Sequence, residues 1–188
     1  MPKPIYKEAK YSQKYSTCNQ EIEEMIRVNH AGEYGATFIY RGQLDGCDKK
    51  HKSLIREMLD QETEHMKIFE KYMLENKIRP SALLFLWKKI GYYFGYFSAK
   101  KSIKCAMIST ESIESVIENH YENQISYLKN KNQHQELRNI IKKIQQEEID
   151  HKNTGSEYSN IKQNILDKAF YDFVSGFCKI AIFLSKKI

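Results

Sequence analysis

Apolar residues recur every three or four positions along four long stretches of the chain, which predicts four amphipathic α-helices. These stretches run over about residues 22–44, 53–75, 99–129 and 135–158, and two further apolar stretches lie at 82–97 and 165–185. Residues 1–19 have no apolar period and hold two of the three prolines. We therefore expect a polar tail over 1–19 and a single all-α domain over 20–188.

Each of the four amphipathic stretches carries a glutamate where the apolar period predicts a buried side chain. These glutamates are Glu33, Glu62, Glu114 and Glu148. The second and fourth stretches also repeat a Glu-x-x-His motif, whose histidines, His65 and His151, lie 86 residues apart (151 minus 65). A spacing of three residues places both side chains on one helix face, so that each motif can grip one metal ion.

Taken singly, each glutamate has a simpler interpretation as a capping or solvent-facing residue, because charged side chains commonly border an apolar face. Four unpaired carboxylates in one core would cost several kcal/mol each, so that together they require a countercharge. Two divalent ions supply it. One Glu from each of two helices plus Glu-x-x-His from two others is the ligand set of di-iron and di-manganese carboxylate bundles, and the absence of thiolate favours iron or manganese over zinc.

In the third amphipathic stretch, the apolar pattern does not decide which glutamate is the metal ligand. Glu111 and Glu118 flank Glu114 at three and four residues, and either could replace it if the helix were rotated. His120 and Tyr121 lie beside the same apolar face and are candidates for electron or proton transfer. The simpler alternative is a surface histidine next to a core tyrosine.

Glycine positions in the first stretch predict a helix contact. Gly32, Gly35 and Gly42 each cost a helix about 1 kcal/mol relative to alanine. Close approach of a neighbouring helix near Glu33 would explain them.

The composition narrows the class of protein. Only three prolines and eight glycines favour long helices, and four cysteines without a C-x-x-C spacing indicate a reducing compartment rather than a zinc ribbon or a disulfide framework. The net charge of +6 comes from lysines spread among glutamates, so we do not expect a nucleic-acid partner. The N-terminus has no apolar signal segment.

The stretch over 82–97 is rich in Trp, Tyr and Phe and is too short to span a bilayer. Lys100, Lys101 and Lys104 follow it closely. This combination predicts a helix lying in the membrane interface. The alternative is a core helix that connects two bundle members, and the helix at 165–185 is either packing or further membrane-facing surface.

Four segments resemble the demethoxyubiquinone hydroxylase family. They are MIRVNHAGEYGA at 25–36, DQETEH at 60–65, IESVIENHYENQ at 113–124 and EEIDH at 147–151, and the likeness runs from about residue 21 to the C-terminus. The resemblance implies that the iron ligands are Glu33, Glu62, His65, Glu114, Glu148 and His151. It thereby selects Glu114 over Glu111 and Glu118.

The resemblance also implies a ferritin-like four-helix bundle with an additional interfacial helix and a C-terminal helix. It implies a monooxygenase of ubiquinone biosynthesis that hydroxylates the ring of a demethoxyubiquinol, using two iron ions, O2 and an external reductant such as NADH, although no G-x-G-x-x-G fingerprint is present. The expected partners are a polyprenyl quinol, a membrane surface, other ubiquinone-biosynthesis proteins and a second copy of the chain. Without a mitochondrial extension, the chain resembles bacterial members, which would lie peripherally on the cytoplasmic face of the inner membrane.

Three rival functions make different predictions. A ferritin-like iron-binding store would have no reason for an aromatic interfacial helix. Another di-iron oxidase or peroxidase fits the ligand set but not the HAGEYG segment at 30–35. A basic nucleic-acid-binding bundle would bind with a steep salt dependence and without metal.

Overall fold

A computed structural model describes residues 19–132, 134–159 and 165–187 of the chain. It contains six α-helices in these ranges: α1 Gln20–Gly46, α2 Lys52–Asn76, α3 Leu84–Lys101, α4 Ile103–Lys131, α5 Gln135–Ser159 and α6 Ile165–Lys187. A single 3-10 turn, Lys49–His51, precedes α2, and the described residues include no strand. The all-α class is therefore confirmed. The tail predicted for 1–19 lies outside the described residues except for Asn19, and the single domain stays a prediction.

Four helices form the bundle as two hairpins, in which α1 packs against α2 and α4 packs against α5. One apolar cluster, which includes Ile26 and Phe69, fills one end of the bundle. A second cluster, which includes Tyr40 and Met58, fills the other end. On α1, α2 and α4 the predicted glutamate falls between residues of the two clusters, and on α5 Glu148 follows the residues of the first cluster.

Helix α3 packs along α1 so closely that the two backbones touch. A Cβ atom added to Gly42 would lie 2.0 Å from the carbonyl oxygen of Tyr92, and one added to Gly95 would lie 2.0 Å from that of Ile39. A Cβ at Gly32 would meet nothing within 4 Å, but a Cβ at Gly91 of α3 would lie 2.9 Å from the carbonyl oxygen of Gly35, so the close approach predicted near Glu33 is confirmed at Gly35. The partner is α3, which crosses α1 in its C-terminal half, beyond Glu33.

The boundary between α3 and α4 also differs from the prediction, which began the third bundle helix near residue 99. Ser102 has extended backbone angles (φ −173°, ψ 155°) and separates the two helices. Its hydroxyl accepts a 3.0 Å hydrogen bond from the Cys105 backbone N–H and so caps α4. Residues 99–101 therefore complete α3, because a serine cap fixes the start of α4.

The two outer helices, α3 and α6, leave apolar side chains in solvent. They include Phe85, Tyr93 and Phe97 on α3 and Ile165, Leu166, Phe173, Ile180 and Phe183 on α6. The opposite face of α3 is buried through Trp87, Gly91 and Gly95. No helix among the described residues is both long and apolar enough to cross a membrane. The prediction of an interfacial segment at 82–97 is not tested by this packing and stays a prediction.

Candidate metal centre

All six side chains that the motifs single out meet in the middle of the bundle. They are Glu33, Glu62, His65, Glu114, Glu148 and His151, and none is more than 4% exposed. Each of the four bundle helices contributes at least one of them. The two alternatives for α4 point elsewhere, since Glu111 accepts a hydrogen bond from Ser159 and Glu118 pairs with Lys152.

The six side chains form two overlapping sets that could each hold a metal ion. The first set is Glu33, Glu62, His65 and Glu148, and the second is Glu62, Glu114, Glu148 and His151. Within each set, one ligand atom per residue lies within 4.8 Å of the others. Both sets contain Glu62 and Glu148, so these two carboxylates could contribute to both candidate metal positions. Sequence spacing alone predicted that each Glu-x-x-His motif serves one ion, so the sharing of both glutamates is new.

Each histidine is oriented by a residue from the other motif. The His65 Nε2 atom lies 2.6 Å from a carboxylate oxygen of Glu147, and the His151 Nε2 atom lies 2.7 Å from the amide oxygen of Gln61. With Nε2 donating outward, Nδ1 of each ring faces the glutamates: Nδ1 of His65 lies 2.9 Å from Glu148, and Nδ1 of His151 lies 3.2 Å from Glu148 and 3.2 Å from Glu62. The sequence reasoning missed Gln61 and Glu147, although both directly precede the glutamate of a motif.

A tyrosine from the opposite hairpin donates to each of the two glutamates that are not shared. The Tyr40 hydroxyl lies 3.1 Å from Glu114, and the Tyr121 hydroxyl donates to Glu33. Each tyrosine follows the glutamate of its own helix by seven residues (40 minus 33 and 121 minus 114). The two hairpins therefore repeat the same arrangement around the centre.

The electrostatics of the cluster fit an ion-binding site. Burial and the neighbouring carboxylates raise the pKa values of Glu62 and Glu114 well above their usual range. Burial acts to lower the pKa of His65, but its interactions with Glu148 and Glu33 raise that pKa to about 12. Burial acts to raise the pKa of Glu148, but its interactions with the two histidines lower that pKa to about 2.

Several buried ligand atoms have no hydrogen-bond partner within the described residues. They are Oε1 of Glu62, Oε1 of Glu148 and Nδ1 of His65. These atoms face other side chains of the cluster, since Nδ1 of His65 lies 2.9 Å from Oε1 of Glu148 and Oε1 of Glu62 lies 3.2 Å from Nδ1 of His151. Buried polar atoms without a well-formed hydrogen bond are rare and costly, so this arrangement fits a site that binds cations. Four carboxylates with two imidazoles form an oxygen-rich set without thiolate, which fits a pair of iron or manganese ions.

A cavity of about 280 Å³ leads from this cluster toward the surface. The four glutamates line its inner end, and the walls are mostly apolar side chains of α1, α3, α4 and α6, including Trp87, Phe94, Phe173 and Phe177. Phe173 is 68% exposed and Phe177 is 42% exposed. The cavity therefore reaches solvent beside the apolar faces of the outer helices.

Comparison with known proteins identifies the family. The chain matches the model described as "Ubiquinone biosynthesis protein COQ7" over residues 20–185. It belongs to that family. The resemblance drawn from the four motifs is thus confirmed.

Several COQ7-type relatives carry descriptive names. The chain is 39% identical over 171 residues to "NADPH-dependent 3-demethoxyubiquinone 3-hydroxylase, mitochondrial" of Dictyostelium discoideum, covering 90% of this chain and 78% of that protein. The Homo sapiens protein of the same name is 33% identical over 170 residues, covering 89% and 78%. The "3-demethoxyubiquinol 3-hydroxylase" of Rhodospirillum rubrum is 32% identical over 170 residues, with the same coverage.

The two further candidates on α4 occupy different places in this COQ7-family fold. Tyr121 is buried and orients Glu33, as described above. His120 is half-buried, lines the cavity, and its Nε2 accepts a 2.7 Å hydrogen bond from Gln124, whose side chain also pairs with Asn29. Burial lowers the pKa of His120 to about 4, so its ring is neutral at pH 7. Electron or proton transfer by this pair stays a prediction.

Proposed function

We propose that this chain hydroxylates the ring of a demethoxyubiquinol in ubiquinone biosynthesis, with two iron ions as cofactor and O2 as co-substrate. The observation that carries the proposal is the pair of overlapping Glu/His sets that open onto an apolar cavity. The names of the relatives support the same reaction. Balance of the reaction requires two electrons and two protons, because one atom of O2 enters the ring and the other leaves as water. An external reductant must supply them, and relatives are named for NADPH.

In this proposal Glu62 and Glu148, which belong to both ligand sets, would help to hold both ions. Glu33 and His65 complete one position, and Glu114 and His151 complete the other, so that six protein ligands hold two ions. Such an iron pair supplies the reductive activation of O2, which no amino-acid side chain provides. The protein's own contribution is to fix the ligands: Gln61 and Glu147 orient the histidines, and two tyrosines orient the terminal glutamates.

In this proposal the cavity holds the ring of the substrate. Its volume of about 280 Å³ is close to the lower end, about 300 Å³, of pockets that hold small molecules. The ring would lie against the carboxylate end, where His120 and Asn29 offer polar atoms in an otherwise apolar lining. A polyprenyl tail exceeds this volume, so it would leave between the outer helices, where exposed phenylalanines continue the apolar lining.

We further propose that the protein lies peripherally on a membrane, from which it draws the quinol. Exposed Phe85, Tyr93 and Phe97 on α3, together with Phe173 and Phe183 on α6, would enter the interface. Aromatic side chains of this kind favour the headgroup region, and nearby lysines favour anionic lipid. In a bacterial host this surface would be the cytoplasmic face of the inner membrane. Proteins of the same pathway and a second copy of the chain are further proposed partners.

Quinone profiling of a cell that lacks the gene tests the proposed reaction. We expect demethoxyubiquinone to accumulate and the wild-type gene to restore ubiquinone. A copy carrying Glu148→Ala should fail to restore it, whereas Glu157→Ala, at an exposed position of the same helix, should succeed. An unchanged quinone pool in the deleted strain would refute the proposal.

A further inference from the structure

The partners that surround the metal centre repeat across the two hairpins. Tyr121 donates to Glu33 in one half, and Tyr40 donates to Glu114 in the other. The histidine of each half is held through Nε2 by the residue that precedes the opposite motif's glutamate. Within the described residues, these contacts join the same types of side chain in both halves, with one exception. The partner of the histidine is a carboxylate in one half and a neutral amide in the other.

The odd pair is Glu147, which holds His65, and Gln61, which holds His151. A hydrogen bond to a carboxylate is roughly twice as strong as one to a neutral acceptor and shifts more electron density onto the imidazole. An imidazole with such a partner is a better donor to a metal ion. Glu147 also adds a negative charge near the first position, and Gln61 adds none near the second.

A nearby lysine does not cancel this difference. The Lys143 Nζ atom lies 3.7 Å from the other carboxylate oxygen of Glu147. Its side chain is 73% exposed, whereas the hydrogen-bonded His65 is 2% exposed. Water and salt screen the exposed pair much more strongly than the buried hydrogen bond.

We propose that Glu147 makes the Glu33–His65 half of the centre the tighter metal position, and that Gln61 leaves the Glu114–His151 half the weaker one. The inference rests on the metal centre of the proposed function. Glu147 and Gln61 act here as positioning residues, because each reaches the metal position only through a histidine. The two ions would therefore bind in a fixed order, first beside His65 and then beside His151.

Titration of the metal-free full-length protein with Mn²⁺ tests the inference without any turnover. Free Mn²⁺ is counted by its electron paramagnetic resonance signal, and we expect two ions to bind in two separate steps. Glu147→Gln should weaken the first step by about tenfold or more, which is the usual effect of removing an outer partner. Gln61→Glu should strengthen the second step and leave the first unchanged. Both substitutions keep the size and shape of the side chain.

Two backgrounds assign each step to one half of the centre. In a Glu114→Ala protein the remaining tight step should respond to Glu147→Gln and not to Gln61→Glu. In a Glu33→Ala protein the reverse should hold. The double exchange of Gln61→Glu with Glu147→Gln preserves net charge and should restore two separate steps with their assignment reversed. Circular dichroism checks that every variant keeps its helices.

The outcomes separate this inference from the metal centre itself. Two equal sites in the wild-type protein would overturn the inference, as would equal weakening of both steps by Glu147→Gln, while the centre would stand. If a single variant does not fold, the double exchange decides the question on its own. Failure of the wild-type protein to bind Mn²⁺ or anaerobic Fe²⁺ would remove the metal centre and the inference together.

Discussion

The indole Nε1 of Trp87 donates a 2.9 Å hydrogen bond to the hydroxyl of Ser185, which lies 98 residues further along the chain. This bond joins α3 to the C-terminal end of α6, and both side chains are buried and line the cavity. Neither helix contributes a side chain to the candidate metal centre. The pair therefore holds the wall of the proposed substrate cavity independently of the ligand set.

Ser185→Ala should affect substrate binding and leave metal binding intact. The substitution strands a buried indole N–H, at a cost of about 1–3 kcal/mol. We expect a several-fold rise in KM for a demethoxyubiquinol with little change in bound iron. Steady-state kinetics, metal analysis and denaturant unfolding measure the three quantities. Ser156→Ala, at an exposed position on α5, is the control, and an unchanged KM would show that this wall does not contact the substrate.

Glu148→Ala should remove both ions, because its carboxylate belongs to both ligand sets. We expect loss of bound iron and of hydroxylation, with helicity retained, since Glu148 caps no helix. His65→Ala should likewise abolish hydroxylation. Because His65 belongs to only one of the two ligand sets, this variant should lose metal first from the Glu33–His65 half of the centre. Elemental analysis and a hydroxylation assay are compared with Glu157→Ala, which should behave as wild type. Full activity in either ligand variant would exclude that residue from the site.

In the metal-free protein, the free energy of unfolding should fall as pH rises. The folded-state pKa values of Glu62 and Glu114 are raised above their unfolded values, and that of His65 is raised to about 12. Such groups stabilise the fold below their unfolded pKa values, near 4.5 and 6.5, and lose that contribution as pH increases. The pKa of Glu148 is lowered to about 2, so the stabilisation from this group is complete above its unfolded value of 4.5 and does not change at higher pH.

Metal binding requires the same groups to be deprotonated, so metal should bind more tightly, and stabilise the fold more, as pH rises. We therefore expect the difference in Tm between metal-loaded and chelator-treated protein to widen from about pH 6 to about pH 8. Thermal unfolding followed by circular dichroism, with matched ionic strength, measures it. A difference that narrows with pH would contradict the assignment of these groups as ligands.

The repeat of apolar positions was sufficient to predict the class of fold and the burial of all six candidate side chains. Burial of a glutamate on an apolar face, such as Glu33, is costly without a countercharge, so the pattern also predicted a cation-binding site. Pattern alone did not separate Glu114 from Glu111 and Glu118, because a modest rotation of a helix exchanges such neighbours. The family resemblance made that choice, and burial of Glu114 agrees with it.

Contacts across the bundle could not be predicted in the same way. Spacing along a helix says which side chains share a face, but it does not say which residue of another helix they meet. Gln61 and Glu147 therefore went unnoticed, although both stand next to a predicted ligand. The glycines of α1 likewise did not show by spacing which of them a neighbouring helix would reach, since only the packed position of α3 leaves Gly32 open and brings a backbone against Gly42.

Phe97→Ser should weaken membrane binding if α3 lies in the interface. Phe97 is 64% exposed on the outer face of α3. Burial of a phenylalanine contributes about 1.5–3 kcal/mol, so its loss should lower partitioning into anionic vesicles by about tenfold or more. Flotation with phosphatidylglycerol vesicles measures this. Leu74→Ser, which removes a side chain 75% exposed on α2, should bind as wild type. Equal vesicle binding by both variants would show that α3 is not the membrane-binding helix.

Gly95→Ala should push α3 away from α1 and disturb the cavity. The added methyl group would meet the Ile39 carbonyl oxygen at 2.0 Å and the Ile39 Cα at 3.0 Å, and backbone atoms cannot rotate aside as a side chain does. Overpacking of this kind usually costs about 1–3 kcal/mol. Gly176→Ala on α6 is a matched control, because nothing lies within 4 Å of its added Cβ. It should stabilise its helix by about 0.5–1 kcal/mol. Denaturant unfolding of the two variants should therefore give shifts of opposite sign, and the same sign for both would contradict the close packing of α3 on α1.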